Sequence, residues 1–550
     1  MDSLQRLIEL DAIARLRSHD ATLFAQDIAG QELAAMSLGW IEPAVGATPA
    51  LPQLERLASD AAEDNVTDVV LLGMGGSSLA SLVIGDVLGG SGVRLHVLDT
   101  TAPLSVAHIV GTLDPASTLY VVASKSGSTI EPLSLYAVFR DEADNELGAL
   151  EAGKRFIAIT DPDTSLESLA ATGGFRALVS SPVDVGGRFS ALTVFGLVTA
   201  SLLGVDVELL IERATAMSAA CALPAAENPA AHLAAFVADN HAGGRDKLTV
   251  VASDSLATFG LWVEQLVAES LGKEGTGIVP VVELSAEWPE AYGSDRAVVV
   301  LRTADDQRLA SWAVQAAESS PVIELVLRSG YDIGAEFVRW EHAVALLGPL
   351  LGVNPFGQPN VAAAKAATAA VLAEELSAPV PQFALGDGTT ISYAGALERP
   401  VTALTTLSAA LSHALGAMRL SDFLCLLAYL PTDETLLAPL KAAVVGVSAA
   451  TRAAVTLEIG PRYLHSTGQL HKGGADNGVF ILVTTRDHAD VPVPGQPWGL
   501  CQLHRAQAEG DLTTLAAAGR RVLRVDLPDA GVQSIAAFAQ ALREAAGAEA

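Results

Sequence analysis

Short apolar runs rich in β-branched residues alternate with longer stretches of helical periodicity along most of the chain, and that alternation predicts parallel α/β sheets. The first series of expected strands is 68–72 (DVVLL), 94–98 (RLHVL), 118–123 (TLYVVA) and 155–159 (RFIAI). A second series is 248–252 (LTVVA), 297–301 (AVVVL) and 322–327 (VIELVL). A third region supplies 422–428, 453–458, 479–483 (VFILV) and 521–526 (RVLRVD). The first two series look like two copies of one architecture, although no fixed-period repeat is evident. Linker-like breaks with proline or glycine lie near 220–230 (ALPAAENPAA) and 376–390 (LSAPVPQFALGDG). Residues 391–450 read as Ala/Leu-rich helices without assigned chemistry. The pattern divides the chain into a helical segment (1–44), a first α/β domain with polar loops (45–220), a second (221–375), and a C-terminal α/β region (376–550) expected to pack with the second.

Composition narrows the partners. Half of the 550 residues are apolar and 17% are charged, so large cores are possible and disorder is excluded. The 33 basic and 63 acidic residues leave a net charge of −30, a field that opposes nucleic acid and anionic membrane. The uncharged run from Phe189 to Val205 is short for a bilayer span and reads as a buried helix. The N-terminus resembles an amphipathic helix rather than a signal peptide. Cys221, Cys425 and Cys501 are far apart, without the spacing of a zinc site, and suggest a reduced compartment. A cytoplasmic protein is expected. Of seven lysines, four (Lys125, Lys273, Lys365, Lys472) fall in polar, glycine-bearing segments.

Those segments carry the candidate chemistry. In "VVASKSGSTIEP" (121–132) an expected strand delivers Ser124, Lys125, Ser126, Ser128 and Thr129 to the start of a helix. One or two hydroxyls would satisfy a capped helix; four in so short a turn favour a phosphate site. "LLGMGGSSLA" (71–80) repeats the layout with Gly76 and Ser77, and lacks both the dinucleotide and the P-loop spacing. In "DVGGRFS" (184–190), Gly187 and Arg188 read either as a structural ion pair or as a cation placed against developing negative charge. In "LWVEQLVAESLGKEGTG" (261–277), Gln265 and Glu269 share a helix face, and Glu269 is a candidate general base or a surface glutamate. "LGVNPFGQPNVAAAKAATAAVL" (351–372) places Gln358 and Lys365 seven residues apart. "GPRYLHSTGQLHKGG" (460–474) holds His465 and His471 without a third ligand at metal-like spacing, so no metal is expected and either histidine is an acid/base candidate.

Taken together and in order, "GMGGSS", "SKSGST", "GGRFS", "QLVAES" with "GK", and "NPFGQPNVAAAK" resemble the phosphoglucose isomerase family. The C-terminal "LHSTGQLHKGG" is most similar to the isomerase half of fused transaldolase/phosphoglucose isomerase proteins. The resemblance implies two sugar-isomerase (SIS) α/β/α sandwiches with an additional C-terminal α/β segment, a homodimer with a shared active site, and fusion to or association with a transaldolase. It implies a glycolytic enzyme that interconverts glucose 6-phosphate and fructose 6-phosphate without a cofactor. Ser77, Ser124, Lys125, Ser126, Ser128 and Thr129 would hold the phosphate. Glu269 would move the proton between C2 and C1 through a cis-enediol(ate), Arg188 would stabilise it, and Lys365 with His465 or His471 would open the sugar ring. In the family's usual order the histidine precedes the lysine segment, whereas here both histidines follow Lys365. The alternatives are an isomerase that also takes mannose 6-phosphate, and a sugar-phosphate-binding regulator. The regulator needs the hydroxyl loops but has no use for Glu269, Arg188 and Lys365 together.

Overall fold

The computed structural model describes residues 2–90, 92–283, 292–373, 382–400, 404–486 and 489–548. Sheet 1 contains β1 (Asp68–Gly73), β2 (Arg94–Leu98), β3 (Thr118–Ala123), β4 (Phe156–Thr160) and β5 (Ala177–Ser180), all parallel, in the order β2-β1-β3-β4-β5. Sheet 2 contains β6 (Lys247–Ala252), β7 (Val279–Val282), β8 (Arg296–Thr303) and β9 (Val322–Leu327), parallel in the order β7-β6-β8-β9. Sheet 3 contains β10 (Phe383–Ala384), β11 (Thr390–Gly395), β12 (Phe423–Ala428), β13 (Ala454–Ile459), β14 (Gly478–Thr485) and β15 (Arg521–Leu527). Its order is β10-β11-β15-β14-β12-β13, and only the β10–β11 and β11–β15 pairs are antiparallel.

One strand order recurs in all three sheets. Each parallel core runs second, first, third, fourth, so the C-terminal region is a third α/β unit of the same topology with a hairpin added at its β15 edge. This order places the first and third strands side by side, where their connections leave toward opposite faces and open a crevice at the carboxyl ends. In sheet 1 that crevice lies between the loops following β1 and β3.

Every expected strand is present, and four others join them. β5 is a four-residue edge strand, and β7 carries Pro280, which an edge position tolerates. β10 and β11 form the hairpin; the expectation of helices through 391–450 is corrected by β11, whose alternating side chains pair with β15. The break at 220–230 is a packed turn rather than a linker. Buried Asn228 accepts from the amides of Ala230 and Ala231 and donates to the carbonyls of Cys221 and Leu223, which caps one helix and closes the other. Of the break at 376–390, residues 374–381 lie outside the described residues.

Six helices bear on the site: α1 (Ile130–Leu147), α2 (Val194–Leu202), α3 (Ala257–Leu271), α4 (Val361–Leu372), α5 (Gly468–Gly473) and α6 (Leu500–Ala517). All residues of α2 are buried, as the uncharged run predicts. One core joins the N-terminal helices to sheets 1 and 2. The other face of sheet 1 packs on α1 and receives Val493, Leu500 and Leu503 from the C-terminal region. Sheet 3 packs its inner face against Ala268 of α3 and Val279 and Val281 of β7. The C-terminal region therefore wedges against both earlier sheets, not the second alone, and it covers α3 at Ala268. Among the described residues, Cys221, Cys425 and Cys501 are free thiols, and no helix is long and apolar enough to cross a membrane.

Candidate active site

The loop after β3 turns sharply into α1. Gly127 has φ +64°, and a β-carbon there would lie 2.5 Å from Cβ of Thr164, so the turn requires glycine. Ser124 is buried and its hydroxyl donates to Thr129 (3.0 Å), whereas Ser126 and Ser128 are exposed and hydrogen-bonded to each other (3.2 Å). Thr129 occupies the N-cap without a side-chain cap bond, which leaves the first amides of α1 open to an anion. Lys125 is engaged elsewhere. Its ammonium is held by Asp161 (2.8 Å) and the Pro182 carbonyl (2.8 Å), and it does not line the cavity described below.

The loop after β1 meets the Arg188 turn. A β-carbon on Gly76 would fall 2.1 Å from the Gly187 carbonyl, so the two glycine turns are in backbone contact. Ser77 is half-buried on this turn. Arg188 is buried, with all five N–H directions engaged. Nε donates to Ser270 (2.8 Å), Nη1 to Glu269 (3.2 Å) and Gln358 (3.5 Å), and Nη2 to the Pro355 (2.6 Å) and Gly357 (3.3 Å) carbonyls. Glu269 is buried on the same face of α3 as Gln265, whose amide donates to its other oxygen (3.1 Å) and to the His465 carbonyl (2.8 Å). Removing one member of a buried pair such as Arg188–Glu269 costs about 3–5 kcal/mol. Lys273, one turn beyond α3, donates to the carbonyls of Asn354 (2.8 Å) and Gly357, which fixes the loop that holds Gln358. Burial, with the Arg188 charge beside it, pushes the Lys273 ammonium down to about 6.

His465 reaches this cluster from the third sheet. It ends the short turn Arg462–His465, which is moored by paired bonds from Arg462 to buried Asp99 (2.6 and 2.8 Å) beyond β2. The following α5 is held by the buried Lys472–Asp511 pair (2.5 Å), while Tyr463 donates to the same carboxylate (2.7 Å). Gln469 on α5 donates to the Gly272 carbonyl (3.0 Å) and accepts from the Asn360 amide (3.0 Å), clamping the end of α3 to the start of α4. Nε2 of His465 lies 2.9 Å from Oε1 of Glu131, in the first turn of α1. Burial would raise the Glu131 carboxyl, but the His465 ring and the Lys365 charge outweigh it and hold the group below the usual carboxylate range.

A cavity of about 210 Å³ opens over this pair. Ser128, Thr129 and Glu131 line it from α1 and its cap, Lys365 from exposed positions of α4, and Leu464 and His465 from the turn. The structure thus joins the loop after β3, Lys365 and His465 around one cavity. Arg188, Glu269, Gln358 and Gln265 form the adjoining buried cluster, and the Gln265–His465 bond connects the two.

His471 belongs to neither. Its Nε2 faces the Cys425 thiol at 3.8 Å and its ring packs on Tyr463 and Phe480. Burial and the neighbouring Lys472 and Arg520 charges hold it well below the usual histidine range. Of the two histidines, His465 alone touches the cavity. His471 does have company that chain spacing could not reveal: ligand atoms of Cys425, Glu458 and His471 lie within 4.8 Å of one another. Sequence reasoning missed Glu131, although an acid two residues past a phosphate turn was itself a signal, since it opposes an anion unless something else engages it. No local signal marked Gln507 or Ser270.

A phosphoglucose isomerase family model matches residues 57–286. The glucose-6-phosphate isomerase of Rubrobacter xylanophilus is 29% identical over 364 residues, 57% of this chain and 83% of that protein. A probable glucose-6-phosphate isomerase of Haloquadratum walsbyi is 36% identical over 225 residues, and the chain spans about half (52%) of its length. A hypothetical protein from Thermus thermophilus superposes with a TM-score of 0.59 at 26% identity, over 67% of this chain and 96% of that one. A Chlamydia trachomatis glucose-6-phosphate isomerase superposes at 0.56 and 19% identity, over 68% and 85%, a likeness of fold alone. The Arg188 turn and the Glu269 helix fall inside the segment matched by the family model, whereas Lys365 and His465 fall outside it. Over residues 57–286, the chain is similar to the phosphoglucose isomerase family.

Proposed function

We propose that the chain interconverts glucose 6-phosphate and fructose 6-phosphate, with Glu269 as the single proton-transfer base. The observation that carries this reading is the Glu269 cluster: a buried carboxylate with one oxygen on Arg188 and the other on Gln265, next to a cavity lined by the phosphate loop, Lys365 and His465.

The phosphate docks against Ser128, Thr129 and the open amides of α1, and this anchoring positions the far carbons at no further entropic cost. Ring opening comes first. His465 takes the proton of the anomeric hydroxyl while the Lys365 ammonium gives one to the ring oxygen, so the C–O ring bond breaks as the carbonyl forms. Glu269 then removes the proton from C2 of the open aldose and returns it to C1, as a hydroxyl proton passes from O2 to O1. Adjacent carbons on one face need only one base. Arg188, rigidly held, presents positive charge to the intermediate enediolate without reorganising.

The test is a coupled assay with fructose 6-phosphate in the presence of EDTA, on the native chain beside Glu269→Gln. Turnover that falls by about 10²–10⁴ in the variant is expected. A native chain that binds fructose 6-phosphate and never converts it would support the regulator instead.

A further inference from the structure

Behind His465 lies a run of buried side chains that the reaction outlined above does not use. Gln507 of α6 donates from Nε2 to Oε1 of Glu131 (2.7 Å), the oxygen that also faces His465. Thr101, beyond β2, donates to Oε1 of Gln507 (2.6 Å) and stands 3.1 Å from Nδ1 of His504. Thr101, Glu131, His504 and Gln507 are all buried.

The chemistry of one atom orients the whole series. An ionised carboxylate only accepts hydrogen bonds, so Glu131 requires a proton on Nε2 of His465 and the amino group, not the carbonyl, of Gln507. The Gln507 carbonyl must then face Thr101, whose single hydroxyl proton is spent there, so Nδ1 of His504 carries a proton to complete the series. Without Thr101 the Gln507 amide could rotate, and without Gln507 the carboxylate could turn from the histidine. With both in place, His465 is held with its proton on Nε2 and its lone pair on Nδ1.

We infer that Gln507, fixed by Thr101 and His504, is a positioning residue that sets the tautomer and orientation of His465 through Glu131, and so governs ring opening but not the proton transfer at Glu269. The inference rests on the isomerase reading. It makes residues 99–101, α1 and α6 partners in one step, which explains why the C-terminal region is wedged against sheet 1.

The discriminating substrate is 5-deoxyfructose 6-phosphate, which keeps the phosphate-to-carbonyl distance but has no 5-hydroxyl with which to close a ring. In Gln507→Leu, kcat/KM for fructose 6-phosphate is expected to fall roughly tenfold, part of what a general base contributes, while the value for the 5-deoxy sugar stays near native. The 15N NMR spectrum of His465 is expected to show the Nε2-protonated tautomer in the native chain and a mixture of tautomers in Gln507→Leu. Thr101→Val should show the same split more weakly, and it decides the matter if Gln507→Leu does not fold. Equal losses on both substrates, or no loss on either, would overturn the inference and leave the isomerase reading standing. A native chain inactive on both sugars would remove that reading, and the tautomer of His465 would then judge the hydrogen-bonded series alone.

Discussion

Around Glu269 the side chains are buried and every N–H of Arg188 has a partner, whereas the neighbouring cavity is lined by exposed Ser128 and Lys365 and half-buried His465 as well as by buried Glu131. The first region is built on α3, the Arg188 turn and the 354–358 loop. The second is assembled from the cap of α1, α4 and a turn of the third sheet. Under the proposed mechanism, the difference is what each step demands. Moving a proton between adjacent carbons needs charges fixed in place before the substrate arrives, while admitting and opening a cyclic sugar needs room and water at the entrance.

That contrast can be broken at several points. The largest effect after Glu269 itself is expected at Arg188. Arg188→Lys cannot reproduce five donor directions, so kcat should fall by about 10²–10³ with KM changed little. A variant that loses only affinity would make Arg188 a ground-state binding residue instead. His465→Gln should reduce fructose 6-phosphate turnover by about 10- to 100-fold and spare 5-deoxyfructose 6-phosphate. Equal losses would make the histidine part of the proton-transfer step and erase the division between the regions.

A smaller effect, readable in stability, is expected at Lys273. Its folded-state pKa, about 6, lies below that of the free side chain, so between roughly pH 6 and pH 10.5 the unfolded chain binds the extra proton. Native stability from this group therefore rises with pH through that window, and its charging penalty is complete below pH 6. Lys273→Met removes the term. The difference in Tm, variant minus native, should grow as the pH is lowered from 10 to 6, and a difference that is flat with pH would mean the lysine is charged in the fold. The smallest effect belongs to Lys125. Because its ammonium is committed to Asp161 and Pro182, Lys125→Met should leave KM within about twofold and cost no more than about 1 kcal/mol, the scale of a partly exposed pair. Ser128→Ala, by contrast, should raise KM. A large KM increase in the lysine variant would show that the side chain swings to the phosphate.

What was legible in the sequence follows the same division. Glu269 and Gln265 could be paired because helical spacing carries the information locally, and the Gly-rich turns could be placed at strand ends because the apolar runs mark those ends. The ion pair of Lys125 could not be read because its partner Asp161 lies on the next strand connection, a contact that residue type cannot announce. His465 and His471 could not be separated by spacing, since what distinguishes them is Glu131 on one side and Cys425 on the other, each far away in the chain. The threefold recurrence of one strand order was also hidden. Topology repeats while the lengths between strands do not, so no period survives in the residues.

The central claim is that one buried carboxylate handles the proton at both carbons. The most direct measurement follows fructose 6-phosphate and glucose 6-phosphate by proton NMR in deuterium oxide, with the native chain and with Glu269→Gln. The account predicts deuterium at C1 of the ketose and C2 of the aldose with the native chain, and loss of both exchanges together in the variant. Exchange that persists at either carbon in Glu269→Gln would contradict it, because a second base would then be moving that proton.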